Sequence, residues 1–254
     1  MSATLFLSII VPAYNEVKSI GRTLDAMQAY LDQQPYSYEI IVAADGDDGT
    51  RELVGARAAD DPRLIVIGSA ERGGKGRGIR AGVQIARGQL VGFCDADYKT
   101  RIEELAKILP WFEQGYDVVF GSRGLAESHI ARKQPLYRQI GSWAFGLVMR
   151  PLIGLQEIGD TQCGFKFFRQ PIARDLFRHQ RVDGYMFDVE VLRLAKYRKY
   201  TMREVAVDWQ DDGDSRSNLL TGSWRIVADL LKIRFTAKPP LSTERASDSP
   251  EFVR

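Results

Sequence analysis

Short apolar runs alternate with segments of helical periodicity through the first half of this chain. Leu64–Ile67 has the length and composition of a strand. Apolar residues at Ile20, Leu24 and Met27 recur instead at the spacing of one helix face. Because alternating strands and helices build parallel sheets, the pattern predicts an α/β fold with a mostly parallel central sheet and helices on both faces.

The other predicted elements follow the same two periods. Strands are predicted at Leu5–Val11, Ile40–Ala43, Leu90–Cys94, Val118–Gly121, Gly164–Arg169 and Met202–Val207. Helices are predicted at Gly49–Ala59, Ile79–Ala86, Ile102–Phe112, Leu136–Leu152, Val189–Tyr197 and Ser223–Phe235. No linker divides the chain, so we expect one domain over residues 1–236. Residues 237–254 are expected to form a disordered tail.

Composition excludes several classes of protein. The formal net charge of +2 gives no electrostatic ground for binding nucleic acid, and we expect no such partner. Two cysteines cannot form a metal cluster or a disulfide framework. No apolar stretch approaches the roughly 18 residues that span a bilayer, and the N-terminus does not have the pattern of a signal peptide. We therefore expect a cytoplasmic protein, either free or peripheral at the membrane face.

Two carboxylates, Asp95 and Asp97, directly follow the apolar run Leu90–Cys94. Open α/β sheets bind their ligands at the carboxyl ends of their strands. With Ala96 between them, the two side chains can surround one hard cation, such as a Mg²⁺ or Mn²⁺ that also grips a substrate diphosphate. An Asp-rich turn without a metal is the alternative, and the motif alone leaves both interpretations open.

Polar residues that suit a nucleotide close the first two predicted strands. Pro12 stiffens the first loop, Tyr14 can stack on a base, and Glu16 can accept hydrogen bonds from ribose or base. Asp45 is predicted to recognise the base or ribose, and Asp47–Asp48 to be turn and cap residues. A turn followed by capping residues is the alternative for both segments.

Cationic residues follow in two further loops. The glycine-rich segment Gly73–Gly78 precedes a helix, and its backbone amides together with Lys75 can hold phosphate oxygens, although a Walker A ending is absent. Arg123 ends the strand Val118–Gly121 and can bind a phosphate through two parallel hydrogen bonds. A surface salt bridge is the alternative for Arg123.

The second half holds three polar segments. Asp160–Lys166 combines acid, amide and base, which suggests an acceptor or sugar pocket, with a polar loop as the alternative. Asp188 is interpreted as a helix N-cap, and Glu190 as a buried partner for arginine or lysine. Asp211–Ser217 is predicted to be a mobile lid in which Arg216 contacts phosphate.

Taken together, these segments resemble the family 2 glycosyltransferases of the GT-A fold. The resemblance extends to about Phe235 and is greatest to the polyprenyl- and dolichyl-phosphate glycosyltransferases, especially the dolichyl-phosphate glucosyltransferase branch. The segments that carry it are Ser8–Glu16, Gly74–Gly76, Asp95–Asp97, Gly121–Arg123, Asp160–Lys166, Phe187–Glu190 and the pair Gly222–Ser223 and Asp229–Arg234.

The resemblance implies a Rossmann-like, metal-dependent enzyme that transfers a hexose with inversion. Its donor would be a nucleotide-diphospho-sugar of the UDP-glucose or GDP-mannose type, and its acceptor a polyprenyl- or dolichyl-phosphate. The implied nucleotide-sugar-binding residues are Pro12, Ala13, Tyr14, Glu16, Asp45, Lys75, Asp95 and Ala96. The implied catalytic residues are Asp97, Arg123, Asp160 and Gln162. Asp95 and Asp97 would hold Mg²⁺ or Mn²⁺, and Arg123 and Arg216 would contact the acceptor phosphate.

The chain also departs from the family pattern. Ala44–Asp47 stands where an Asp-Asp-Gly-Ser stretch is usual, and Tyr98–Arg101 lacks the usual proline and adds positive charge. The C-terminal membrane helices of some relatives are absent, so the 223–235 helix either rests on a membrane surface or packs on the core. Transfer to a small soluble acceptor, and a nucleotidyltransferase or nucleotide-binding module, are the alternative functions.

Overall fold

A computed structural model describes residues 5–130, 146–147, 149–210 and 223–235. The described strands are β1 (Leu7–Tyr14), β2 (Tyr38–Asp45), β3 (Leu64–Ile67), β4 (Leu90–Cys94), β5 (Val118–Ser122), β6 (Phe165–Arg169) and β7 (Met202–Ala206). The described α-helices are α1 (Ile20–Leu31), α2 (Thr50–Asp60), α3 (Lys75–Ile85), α4 (Leu105–Glu113), α5 (Gln170–His179), α6 (Phe187–Arg198) and α7 (Ser223–Phe235). A 3₁₀ turn, Ile102–Glu104, precedes α4.

The strands form one sheet in the order β3-β2-β1-β4-β6-β5-β7. Only β6 among them runs antiparallel to its neighbours, which confirms the predicted mostly parallel sheet. The strand order reverses beside β1, because β2 and β3 lie on one side of it and β4 on the other. Such a switch point opens a crevice at the carboxyl ends of the strands, where ligands bind in open α/β sheets.

Helices cover both faces of the sheet, as predicted. One core contains α1, α2 and α4 against alternate residues of the central strands, and the other contains α3, α5, α6 and α7. In α1, the predicted apolar stripe is confirmed, since Ile20, Leu24, Met27 and Leu31 are all buried. Each such side chain contributes roughly 1.5–3 kcal/mol by leaving water.

The glycine-rich segment is largely helical, which corrects the prediction of a loop over Gly73–Gly78. Helix α3 begins at Lys75. A Cβ atom on Gly76 would lie 2.5 Å from the carbonyl oxygen of Val182, and one on Gly82 would lie 2.7 Å from Cγ1 of Ile10. These glycines therefore permit close packing of α3 on its neighbours.

Helix α5 is absent from the sequence-based prediction. It buries Ile172, Ala173, Leu176 and Phe177, a helical stripe, and it carries a proline in its first turn. Prolines are favoured there because the first amide of a helix has no intrahelical acceptor.

Some predictions fall on residues that the structure does not describe. The predicted Leu136–Leu152 helix is described only in part, with residues 149–153 helical. The predicted lid, Asp211–Ser217, with Arg216, and the predicted tail, 237–254, lie outside the described residues. The single domain over residues 1–236 stays a prediction.

Candidate active site

The sheet brings the predicted site residues to one edge. Tyr14 and Asp45 end β1 and β2 as register partners, and Asp95 directly follows β4. Because β6 is antiparallel, its first residue, Phe165, pairs with Cys94 at the end of β4. The polar segment before Phe165 therefore arrives beside the acid pair, although the two are far apart in sequence.

Each carboxylate of the acid pair forms an ion pair with a lysine. The Nζ atom of Lys75 lies 2.6 Å from Oδ1 of Asp95, and that of Lys99 lies 3.3 Å from Oδ2 of Asp97. Both carboxylate side chains remain about two-fifths exposed, at 39% and 41%. Burial and the charge of Asp95 raise the pKa of Asp97, and Lys99 opposes this. A cation shared by the two acids would relieve their repulsion.

A glycine makes room for Asp95. A Cβ atom on Gly164 would lie 2.1 Å from Oδ2 of Asp95 and 2.4 Å from its Cγ. Such distances are well inside van der Waals contact, so any other residue at 164 would displace the Asp95 carboxylate. The Asp160–Lys166 segment thus shapes the acid pair by its backbone.

The donor set at this edge suits a metal ion that is shared with a substrate. Among the described residues, no group of three or more His, Cys, Asp or Glu side chains forms a complete metal cage. Mg²⁺ is commonly held by one or two carboxylates together with substrate phosphates. Asp95 and Asp97 fit that pattern, because a diphosphate supplies the remaining oxygen ligands.

Behind Asp95 lies a buried chain of alternating charges. Lys166 has no exposed side-chain surface, and its Nζ donates to Oδ1 of Asp188 at 2.7 Å and to the Cys163 carbonyl at 2.5 Å. Burial raises the pKa of Asp188, and the charges of Lys166 and Lys75 oppose it. Burial lowers the pKa of Lys75, but Asp95 and Asp188 outweigh this and raise it. Lys166 on β6, Asp188 on α6, Lys75 on α3 and Asp95 therefore influence one another electrostatically.

The interpretation of Asp188 as an N-cap is wrong. Met186 occupies the N-cap position of α6, and Asp188 is the second residue of the helix. Its carboxylate is buried and is bonded to Lys166 because a buried charge requires a partner. Glu190 accepts from the backbone amides of Arg181 and Val182, so its hydrogen-bonding partners here are main-chain groups and not the predicted side-chain cation.

Arg123 is fixed by Asp160. Its Nε and Nη2 donate to the two carboxylate oxygens at 2.6 and 3.0 Å, and its backbone amide donates to Oδ2 at 3.1 Å. Burial raises the pKa of Asp160, but the charge and hydrogen bonds of Arg123 outweigh it and hold that pKa at about 2. The amide of Gln162 also donates to Asp160, at 3.0 Å. The guanidinium thus has a fixed orientation, near the ring of Trp209 at 5.6 Å from its centroid.

Glu204 is a site-supporting residue that the sequence did not reveal. Its two oxygens accept from the amides of Asp160 and Gly159 at 2.7 and 2.9 Å. Arg150 donates to the Gly159 carbonyl in the same loop. In the sequence, Glu204 is one polar residue of a short strand, and such residues usually face solvent. Only the fold shows that β7 presents it to the Asp160 loop.

We expect Glu204→Gln to lower the free energy of unfolding by about 1–3 kcal/mol, because one amide oxygen cannot replace two acceptors and its NH₂ faces a backbone donor. Urea unfolding measures this. Glu157→Gln is the matched control, since Glu157 forms an exposed ion pair with Lys196 and should change stability by about 0.5 kcal/mol or less. Equal urea midpoints for Glu204→Gln and the wild type would contradict the anchoring role.

The predicted nucleotide segment is partly strand. Pro12 and Ala13 pair with β2 inside β1, which corrects the interpretation of a loop from Pro12 onward. The pairing of β1 with β4 stops at Ile10, so Pro12 lies where β1 has a paired neighbour on one side. Proline is tolerated at such edge-like positions because it lacks an amide donor.

Tyr14 and Asp45 both contact the loop Ser69–Gly73, a contact that the sequence did not reveal. The Arg72 guanidinium lies 4.3 Å from the Tyr14 ring centroid, and Tyr14 is 41% exposed. The Asp45 carboxylate accepts from the amide of Gly73 at 2.7 Å and from that of Ser69 at 3.3 Å. Glu16 accepts from the hydroxyl of Ser19. The nucleotide, metal and phosphate roles of the predicted residues stay predictions.

Comparisons with known proteins define the family. Residues 8–177 match the family model described as glycosyl transferase family 2. A dolichyl-phosphate beta-glucosyltransferase of Trichomonas vaginalis is 33% identical over 259 residues, covering 97% of this chain and 76% of that protein. Those of Drosophila melanogaster and Homo sapiens are 34% and 30% identical, covering 88% and 89% of this chain and 72% and 79% of theirs.

Solved structures confirm the predicted GT-A fold. Glucosyl-3-phosphoglycerate synthase from Mycobacterium tuberculosis, in complex with Mn²⁺, UDP and glucosyl-3-phosphoglycerate, aligns with a TM-score of 0.65 at 17% identity, covering 91% of this chain and 80% of that one. Mannosyl-3-phosphoglycerate synthase from Rubrobacter xylanophilus aligns with a TM-score of 0.64 at 19% identity, covering 96% and 79%. At these identities the likeness concerns the fold alone. The family match over most of the chain, together with relatives at 30% identity or more, establishes that this chain belongs to glycosyl transferase family 2.

Proposed function

We propose that this protein is an inverting, metal-dependent hexosyltransferase that moves glucose from a nucleotide-diphospho-sugar to a polyprenyl- or dolichyl-phosphate. The observation that carries the proposal is the group of relatives, 30–35% identical, whose names specify dolichyl-phosphate beta-glucosyltransferase. The donor assignment is further supported by a structural neighbour that was solved with Mn²⁺ and UDP-glucose. We place the enzyme at the cytoplasmic face of a membrane, where reducing conditions suit its buried free cysteines.

The chemistry requires orientation more than base catalysis. A phosphate monoester is already an anion near neutral pH, so a strong general base is unnecessary. One displacement at the anomeric carbon inverts its configuration and expels a nucleoside diphosphate. The demands on the protein are therefore to align the two substrates and to stabilise the charge of the leaving group.

Three groups of this chain suit that task. A divalent cation bound to Asp95 and Asp97 would supply positive charge to the leaving diphosphate. The ammonium of Lys75, fixed 2.6 Å from Asp95, adds a second positive charge at the same edge. Asp160 engages Nε and Nη2 of Arg123, and we assign the remaining Nη1 to a phosphate oxygen.

Helix α7 supplies a surface for a lipid-linked acceptor. It exposes Val227, Leu231 and Phe235 at 54%, 46% and 74%, and these residues follow one another at a spacing of four. Leu230 and Ile233 on the other side of the helix are buried in the core. Lys232 and Arg234 lie in its last turn. None of the described helices is long and apolar enough to cross a membrane. We propose that the exposed stripe inserts into the headgroup layer.

Replacing Leu231 and Phe235 together with serine is expected to lower the partition coefficient onto anionic vesicles by about 30-fold or more, because each apolar side chain contributes roughly 1–2 kcal/mol of insertion. Vesicle flotation measures this. Ile85→Ser is the matched control, since Ile85 is 43% exposed on α3. Equal flotation of the double variant and the wild type would contradict membrane contact through α7.

The proposed function is tested by a transfer assay with UDP-glucose and GDP-mannose as donors. Short-chain polyprenyl phosphate and 3-phosphoglycerate serve as competing acceptors, with Mn²⁺ or with EDTA. We expect glucosyl transfer to the polyprenyl phosphate, with release of a nucleoside diphosphate and loss of turnover in EDTA. Preferred transfer to phosphoglycerate would show that the acceptor is a small soluble phosphate and not a lipid. Release of pyrophosphate would indicate a nucleotidyltransferase.

A further inference from the structure

A strained turn follows the acid pair. Tyr98 has a φ of 56°, a left-handed conformation that is unfavourable for a bulky residue. Its amide donates to the Asp95 carbonyl at 3.1 Å, and the amide of Lys99 points to Oδ1 of Asp97 at 3.4 Å. The Tyr98 hydroxyl lies 3.2 Å from Oε2 of Glu103, which helps to hold the turn. The turn directs Lys99 back towards the acid pair.

The Lys99 ammonium is enclosed and is unlike an ordinary surface lysine. Its side chain is 11% exposed, and its Nζ lies 3.3 Å from Oδ2 of Asp97 and 5.9 Å from the centroid of the Trp209 ring. The Lys99 carbonyl accepts from the amide of Gln210 at 2.9 Å, so the backbone is anchored as well. The geometry therefore gives Asp97 a built-in partner.

We propose that Lys99 is a resident counter-cation that competes with the divalent metal for Asp97 in the nucleotide-free protein. The inference rests on the proposed metal-dependent function. An ammonium and a metal ion bound to the same carboxylate repel each other, so each weakens the binding of the other. A donor diphosphate favours the metal in this competition, since its negative charges can form an ion pair with the displaced Lys99 ammonium. Metal and nucleotide should therefore bind in a strongly coupled manner, each promoting the other.

The test measures Mn²⁺ binding directly, by the electron paramagnetic resonance signal of free Mn²⁺, with and without UDP. Without UDP, Lys99→Met is expected to bind Mn²⁺ about tenfold more tightly than the wild type, a gain of about 1.4 kcal/mol. The increase in Mn²⁺ affinity on adding UDP should be smaller in the variant. Lys196→Met, which removes a lysine paired with Glu157 on the surface, should bind as the wild type does.

Three comparisons decide the inference. Lys99→Arg, which keeps the charge, is expected to retain the weak Mn²⁺ binding of the wild type. If Lys99→Met does not fold, Lys99→Gln serves in the same comparison, with thermal unfolding as the check. Equal Mn²⁺ affinities for the neutral variants and the wild type without UDP would overturn the role of Lys99 alone. Absence of Mn²⁺ binding in every protein, even with UDP, would overturn the proposed metal dependence and this inference together.

Discussion

Asp97→Asn is expected to lower kcat/KM for sugar transfer by about 10²–10³-fold, the size typical of removing one group that stabilises developing charge. Asparagine keeps the shape of the side chain but removes the negative charge that would hold a divalent cation against the leaving diphosphate. Steady-state kinetics with saturating Mn²⁺ measure the loss. Asp25→Asn is the matched control, because Asp25 on α1 forms an exposed ion pair with Arg57 on α2, and its replacement should leave transfer unchanged.

A measurement of stability distinguishes this loss of activity from damage to the fold. The pKa of Asp97 is raised by burial and by Asp95, so the folded protein binds more protons there than the unfolded chain does. Because the pKa of Asp97 is higher in the folded protein, the free energy of unfolding falls as the pH rises from the usual pKa, near 3.8, through the raised pKa. Without metal at neutral pH, Asp97→Asn should therefore unfold at the same temperature as the wild type or at a higher one. Near-normal turnover in this variant, or wild-type turnover unaffected by EDTA, would contradict the metal role.

The sequence predicts the sheet and the place of the acid pair well, for a physical reason. Buried parallel strands are short continuous apolar runs, so β3 and β4 have the predicted bounds, Leu64–Ile67 and Leu90–Cys94. The residue after such a strand must lie at the carboxyl edge of the sheet. Asp95 and Asp45 could thus be placed at one edge from local pattern alone.

The supporting contacts could not be predicted, because they join residues that are distant in sequence. Lys166 and Asp188 are 22 positions apart, and Asp160 and Glu204 are 44 apart. A short strand such as Phe165–Arg169 shows an alternation of Phe and Lys, which normally indicates a solvent-exposed lysine. Since β6 lies between β4 and β5 with helices over both faces of the sheet, Lys166 is buried instead of facing solvent. The role of the glycines of α3 could not be predicted for the same reason, because it depends on distant residues that pack against them.

Lys166→Met is expected to lower the free energy of unfolding by about 3–5 kcal/mol, the effect of removing one partner from a buried ion pair. Methionine fills much of the lysine volume, so little of the loss should come from a cavity. The effect arises because Asp188, 3% exposed, would lose its closest cation and keep only the more distant charge of Lys75. The Cys163 carbonyl would also lose its donor. Urea unfolding at neutral pH measures the change.

A second substitution and the pH dependence identify the cause. Lys166→Met combined with Asp188→Leu removes both charges, and it should recover most of the lost stability because well-packed apolar pairs commonly replace buried ion pairs. In the single variant, loss of the Lys166 charge should raise the pKa of Asp188 further, since burial and the charge of Asp95 both raise it and the charge of Lys75 is left to oppose them. Stability then falls as the pH rises from about 4 through that raised value, so the deficit relative to the wild type should be smallest below about pH 4. A deficit that is independent of pH and equal in the double variant would show that packing of the lysine stem, and not its charge, stabilises this part of the core.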